Sequence, residues 1–236
     1  MNAAELELFP DLESACARAS SLTARAARDA VAARGRFTLA LSGGSTPARY
    51  FERLGAQDLP WQAVHVFWAD ERLVAHDDPA SNYALARAHL FTRAPIPAEN
   101  IHPMADPALP LEALEAQAQA CEAMLRSFFG AGGFPAFDAV HLGVGDDGHT
   151  ASLFPGQPAL DESTRWVLPV VYDKSKPPVP RLTLTLPVLN AARLAFFLVS
   201  GQGKTALARD ILEGRGAGYP ASHVRPAGEL FWLAGE

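Results

Sequence analysis

The sequence predicts an α/β fold, a mostly parallel sheet with helices on both faces. Three observations carry that prediction. Short apolar runs alternate with helical patterns along the chain. Two glycine-rich segments follow such runs directly, as expected where strands of an open sheet end. No internal repeat divides the sequence. One core formed by 236 residues buries roughly 70–75% of the unfolded surface, so a single domain over 1–236 is expected.

The elements follow in order. Asp11 to Ala33 has helical periodicity and stops at Gly35, and Phe37 to Leu41 is a short apolar strand entering Ser42-Gly43-Gly44-Ser45-Thr46-Pro47. Thr46 is placed as an N-cap, with Pro47 at the first helical position. Val64 to Trp68 is the next strand and runs into Ala69-Asp70-Glu71-Arg72, after which Ser81-Asn82-Tyr83 opens a helix. Leu111 to Phe129 reads as helix, Phe137 to Val144 as a buried strand, Arg181 to Leu186 and Leu194 to Ser200 as strands, and Lys204 to Leu212 as helix. The prolines of Tyr172 to Pro180 make a stiff extended loop, either a lid or a solvated connection.

Composition narrows the function. Twenty basic residues against 26 acidic give a net charge of −6, and no basic block occurs, which argues against a nucleic-acid or anionic-membrane partner. A small ligand is expected, and local groups must overcome the global field if it is anionic. Cys16 and Cys121 lie far apart in Ala-rich helical patterns, as suits free thiols in a reducing compartment. The longest strongly apolar run, Leu194 to Val199, is too short to span a bilayer. Arg18, Arg25, Arg28 and Arg34 imitate a transit peptide, but Glu7, Asp11, Glu13 and Asp29 spoil the imitation. A cytoplasmic protein is expected.

Four loops can carry chemistry. Gly143 through Gly156 packs glycines, Asp146, Asp147 and His149 into the turn after a strand. Imidazole titrates near neutrality and can take a proton from water and return it to a leaving oxygen; either aspartate can orient it or bind a sugar hydroxyl. The remaining histidines, including His65, His89, His102, His141 and His223, read as structural. In Ser42-Gly43-Gly44-Ser45-Thr46, backbone N–H groups, hydroxyls and a helix N-terminus can form an anion cradle, the alternative being a tight structural turn. Asp70-Glu71-Arg72 brings two carboxylates and a guanidinium to one sheet edge, either for chemistry or as a buried ion-pair network. Lys204, one of three lysines in the chain, opens a helix after a strand and suits a phosphate point contact or plain solvation; Arg181 is open to the same two readings.

Together these blocks resemble the 6-phosphogluconolactonase family. Leu41 to Pro47, Asp70-Glu71-Arg72 with Ser81-Asn82, Gly143 through Pro155, Arg181 to Thr185 with Leu189-Asn190, and Gly201-Gln202-Gly203-Lys204 occur in the family's order. The resemblance implies a Rossmann-like sheet shared with glucosamine-6-phosphate deaminases and ribose-5-phosphate isomerases. It also implies hydrolysis of a sugar-phosphate δ-lactone in the oxidative pentose phosphate pathway. In the related deaminases the histidine loop ends in an apolar-Asn-Glu-Pro pattern whose glutamate assists the histidine. Here the ending is Ser152-Leu153-Phe154-Pro155, and Phe154 in place of the acid favours the lactonase.

On that resemblance, the 6-phosphate is expected on Ser42, Gly43, Gly44, Ser45 and Thr46 with Arg72, Arg181 and Lys204. His149 is expected to activate water at the lactone carbonyl, supported by Asp147 and by Asp70, which orients Arg72 or the substrate. No metal or cofactor is expected. The absence of a Gly-x-Ser-x-Gly elbow argues against a covalent acyl-enzyme. The expected partner is the small lactone alone, with no nucleic acid or membrane, and a monomer or weak homodimer. The rival readings are a sugar-phosphate deaminase or isomerase, with Asp70 as base, and a non-catalytic sugar-phosphate sensor.

Overall fold

The structure, a computed structural model, describes residues 4–130 and 132–236. The chain runs β1 (Glu5–Phe9), α1 (Leu12–Arg34), β2 (Phe37–Leu41), α2 (Pro47–Gly55), β3 (Val64–Trp68), β4 (Asp70–Arg72) and α3 (Asn82–Ala86). It continues through α4 (Leu114–Phe129), β5 (Ala139–Leu142), β6 (Val167–Val170), β7 (Arg181–Leu184), α5 (Leu186–Asn190), β8 (Leu194–Ser200), α6 (Gln202–Leu212) and β9 (Glu229–Gly235).

Six strands form a wholly parallel sheet in the order β1-β9-β8-β5-β2-β3. Every residue of β2 and β5 is buried, the signature of a parallel sheet covered on both faces. Helix α1 packs along β2, β8 and β9, and α6 against β8, β9 and β1. The strand order sends the chain outward from β2 to β3 on one side and from β5 to β8 and β9 on the other. The loops leaving β2 and β5 therefore diverge and leave a crevice between them, where open α/β sheets bind ligands.

Local chemistry sets the element ends. The Asp11 carboxylate accepts the Ser14 amide at 2.7 Å and caps α1, and Gly35 closes that helix at φ +73° with its N–H on the Val31 carbonyl. Thr46 stands at the N-cap position of α2, but its backbone is helical and its hydroxyl makes no capping bond, so that expectation is corrected. Helix α4 starts at Leu114 rather than Leu111, because the chain after Pro110 first makes a turn.

A second sheet, antiparallel with order β4-β7-β6, was not foreseen. It takes Arg181–Leu184 out of the parallel sheet, and Leu186 begins α5 instead of ending a strand. Strand β6 holds Pro169 at its sheet's edge, where a missing N–H is tolerated. The terminal strands β1 and β9 pair with each other. No helix among the described residues is long and apolar enough to cross a membrane.

Candidate active site

The crevice between the β2 and β5 loops opens into a cavity of about 410 Å³. Ser42, Gly43, Gly44, Ser45, Thr46, Asp70, Arg72, His149, Arg181 and Lys204 all line it. Of the expected site residues only Asp147 stands outside the lining, behind His149.

The loop after β2 enters α2 through Ser42–Thr46, with Gly44 at φ +111°, a backbone conformation that favours glycine. Gly43 has a different reason: a Cβ there would fall 1.8 Å from Asn82 Oδ1. Asn82 is fixed in turn, its Nδ2 donating to the Asp70 carbonyl at 2.8 Å and to Asp70 Oδ1 at 3.3 Å. The Ser42 hydroxyl is buried and has no protein partner.

The loop after β5 is closed by its own backbone. Gly145 N–H donates to the His149 carbonyl at 2.9 Å, Gly148 N–H to the Gly145 carbonyl at 3.0 Å, and the Thr150 hydroxyl to the Gly143 carbonyl at 2.9 Å. His149 Nδ1 lies 2.5 Å from Asp147 Oδ1, which also accepts the His149 amide at 3.1 Å. Burial alone would raise the Asp147 carboxyl, but these bonds to His149 hold it below the usual carboxylate range. An ionised Asp147 fixes the proton on Nδ1 and leaves the Nε2 lone pair free. Asp146 makes no such contact, which separates the two aspartates. The imidazole rests on buried Phe154, ring centroids 4.7 Å apart, and Phe154 packs on Tyr172 at 4.5 Å.

The small sheet supplies the buried charges. Asp70 and Arg72 line the cavity, whereas Glu71 points away, since successive strand residues face opposite sides. This corrects the expectation of two carboxylates at one edge. Glu71 accepts the amides of Arg72, Asn82 and Tyr83, each at 2.7 Å, and the Ser81 hydroxyl at 3.1 Å, anchoring the start of α3. Burial pushes its carboxyl up to about 7 against the pull of those amides.

Asp70 does not orient Arg72, another correction. Asp70 Oδ2 accepts from the Ser152 hydroxyl at 2.8 Å and faces Arg181 Nη1 at 3.9 Å, while Arg72 Nη1 donates to the Ala80 carbonyl at 2.6 Å. Arg181 is only 3% exposed, and burial draws its pKa down despite Asp70. Its Nη2 donates to the carbonyls of Lys176 and Pro177 at 2.9 and 3.2 Å, tying the proline loop to the cavity wall.

Sequence reasoning missed several residues here. Lys176 joins the lining, and the scarcity of lysine was a usable signal for it. Asn82 and Ser152 act through Asp70, a pairing across 12 and 82 positions that no local pattern reveals. His141 is buried, as expected of a structural histidine, yet it borders the cavity. In all, Arg72, Lys176, Arg181 and Lys204 face one carboxylate, Asp70, so the cavity is locally cationic in an acidic chain. No group of three or more His, Cys, Asp or Glu side chains among the described residues is arranged to hold a metal. A separate cavity of about 300 Å³ at the opposite end of the strands carries Arg34, Arg36 and Arg193 beside Asp138. Helices α1 and α4 end there, and arginines complement helix C-termini.

Residues 10–232 match the family model for glucosamine-6-phosphate isomerases/6-phosphogluconolactonase. The chain is 47% identical over 212 residues to a 6-phosphogluconolactonase of Synechocystis, covering 86% of this chain and 84% of that one. It is 43% identical over 232 residues to the human 6-phosphogluconolactonase, covering 95% and 88%. The crystal structure of 6-phosphogluconolactonase from Thermotoga maritima superposes with a TM-score of 0.86 at 30% identity, covering 99% of this chain and all of that one. A monomeric glucosamine-6-phosphate deaminase, 20% identical with a TM-score of 0.79, shares the fold. By sequence and fold alike, the chain belongs to the glucosamine-6-phosphate isomerase/6-phosphogluconolactonase family.

Proposed function

We propose that the chain hydrolyses 6-phospho-D-glucono-1,5-lactone to 6-phospho-D-gluconate, with His149 as general base and Asp147 as its orienting partner. The observation that carries this reading is the 2.5 Å Nδ1–Oδ1 contact beside a cavity lined by four cations and a glycine loop. The phosphate sits on the amides and hydroxyls of Ser42–Thr46 with Arg72 and Lys204. Arg181 adds charge from the wall while holding the proline loop. Charge-assisted hydrogen bonds contribute on the order of 1.5–3 kcal/mol each, enough for a remote phosphate to fix the carbonyl before reaction.

His149 Nε2 takes a proton from water as the water oxygen bonds to C1. The resulting oxyanion is met by backbone N–H groups of the glycine loops. Collapse breaks the bond from C1 to the ring oxygen, and the proton on Nε2 passes to that oxygen. The carboxylic acid formed then ionises to solvent. Asp70 keeps Arg181 and Asn82 in place, and no step is assigned to a metal or cofactor. Phe154 beneath the imidazole gives no second acid of the kind the deaminases use.

The reading extends to the whole chain as one domain, supported by the pairing of β1 with β9. It also takes the enzyme to act in the cytoplasm, where the free, buried Cys16 and Cys121 stay reduced. A monomer or weak homodimer suffices, because one chain supplies every residue named at the cavity.

The test is hydrolysis of freshly generated 6-phosphogluconolactone above its spontaneous rate. Rapid turnover by the native chain, lowered about 10²–10⁴-fold in His149→Ala, is the expected result. Turnover that survives the substitution discards the role of His149. Ammonia release from glucosamine 6-phosphate, without lactone hydrolysis, replaces the reading with a deaminase, and ligand binding without turnover replaces it with a sensor.

A further inference from the structure

We propose that His141 is a positioning residue for the anion-binding loop, holding its first amide through a neutral imidazole. The inference rests on the reading that Ser42–Thr46 receives the substrate phosphate.

His141 stands on β5, one strand from β2, whose end begins that loop. Its Nδ1 accepts the Ser42 N–H at 3.3 Å. The acceptor role puts the ring proton on Nε2, and the ring borders the cavity. Tyr50 and Phe51 of α2 and Phe196 of β8 surround the ring, with centroids 5.1, 6.0 and 5.5 Å away. Tyr50 is itself tied to Thr23 at 2.8 Å between hydroxyls. Burial holds the imidazole down at about 3, in keeping with the unprotonated Nδ1 that accepting the Ser42 amide requires.

An apolar residue would fill such an aromatic box without bringing a polar ring out of water. What the imidazole adds is an acceptor at one place, the point where the chain leaves β2. Turning the Ser42 amide onto His141 sets the direction of the following Gly43 and Gly44 peptides, whose N–H groups the phosphate needs. The Ser42 hydroxyl, buried and without a protein partner, lies at the cavity beside that amide. The loop is thus held from both flanks: His141 takes the Ser42 amide, and Asn82 closes against Gly43.

Three variants isolate the acceptor. His141→Leu fills the box without one, His141→Asn places its Oδ1 near the Nδ1 position, and His141→Gln reaches toward the Nε2 position instead. For each, KM and kcat on 6-phosphogluconolactone, the inhibition constant for inorganic phosphate, and Tm are measured. The expected result is a rise of about three- to tenfold in both KM and the phosphate inhibition constant for the leucine and glutamine variants. Their kcat changes less than their KM, Tm of the leucine variant is unchanged or higher, and asparagine restores both constants. A merely structural histidine would move Tm and leave the phosphate constant alone. Native phosphate affinity in the leucine variant overturns the proposal, as does rescue by glutamine and not asparagine. Failure of inorganic phosphate to inhibit the native chain would instead remove the loop's assignment, and with it this one.

Discussion

The parallel sheet and the small antiparallel sheet meet at one cavity and bring it different things. From the parallel sheet come turns: the loops after β2, β5 and β8 offer glycine backbone, hydroxyls, His149 and Lys204, and the β5 loop that carries His149 is closed by its own short hydrogen bonds. From the antiparallel sheet come charges already engaged with one another. Asp70 faces Arg181, Ser152 and Asn82, Arg72 is tied to Ala80, and Arg181 to the proline loop. A loop that is locally satisfied can lose a side chain and keep its shape, whereas a buried charge that loses its partner strains everything around it. The parallel side is therefore expected to fail in activity and the antiparallel side in stability.

The largest expected effect lies on the parallel side. In His149→Ala the collapse in kcat should come with a shift in Tm of no more than about 2–4 °C, the size of a 1 kcal/mol change in a chain of this length. Thermal unfolding followed by circular dichroism checks it, and a variant that unfolds would erase the contrast. On the antiparallel side, Asp70→Ala leaves Arg181 buried without its carboxylate. A loss of about 3–5 kcal/mol in urea unfolding is expected. If stability is instead native while kcat vanishes, Asp70 belongs with the chemistry rather than the scaffold.

The two sides touch where Gly43 meets Asn82, and the next effect tests that seam. A Cβ at Gly43 overlaps Asn82 Oδ1, which Asp70 holds in place, so the loop rather than the amide must move. Gly43→Ala is expected to raise KM about tenfold, and adding Asn82→Ala should recover part of it. Residues in direct contact commonly couple by 0.5–3 kcal/mol. Additive effects in the double-mutant cycle would mean that the sheets act on the cavity independently.

The same division explains what could be read from the sequence. Loops of the parallel sheet were legible because glycine and proline announce a turn within a few positions, and β2, β3 and β8 have the expected bounds. The antiparallel sheet was not, since β4, β6 and β7 hold only three or four residues each and pair across more than 100 positions from β4 to β7. The period-2 alternation that turns Glu71 away from Asp70 and Arg72 was available in the sequence, but only once that segment is recognised as strand. Choosing Asp147 over Asp146 depended on the fold of one tight turn. His141 was hidden for a different reason: a histidine inside an apolar strand looks the same whether it fills space or accepts an amide.

The smallest effect is the most discriminating, because the two sheets should respond to pH with opposite signs. Burial raises Glu71, on β4, from 4.5 to about 7. The folded chain then holds a proton that the unfolded chain has released, and stability falls as pH rises through that window. Burial lowers His141, on β5, from 6.5 to about 3. There the unfolded chain binds the extra proton, and stability rises with pH across its window. Between about 4.5 and 6.5 the two slopes oppose, so urea midpoints of the native chain should vary little from these groups. Glu71→Gln loses stability at every pH, because its amide nitrogen cannot accept the donors gathered there, but it should also expose the rising slope left by His141. His141→Leu should expose the falling one. Parallel slopes in the two variants would mean that Glu71 stays ionised among its four donors, and that both sheets meet acid in the same way.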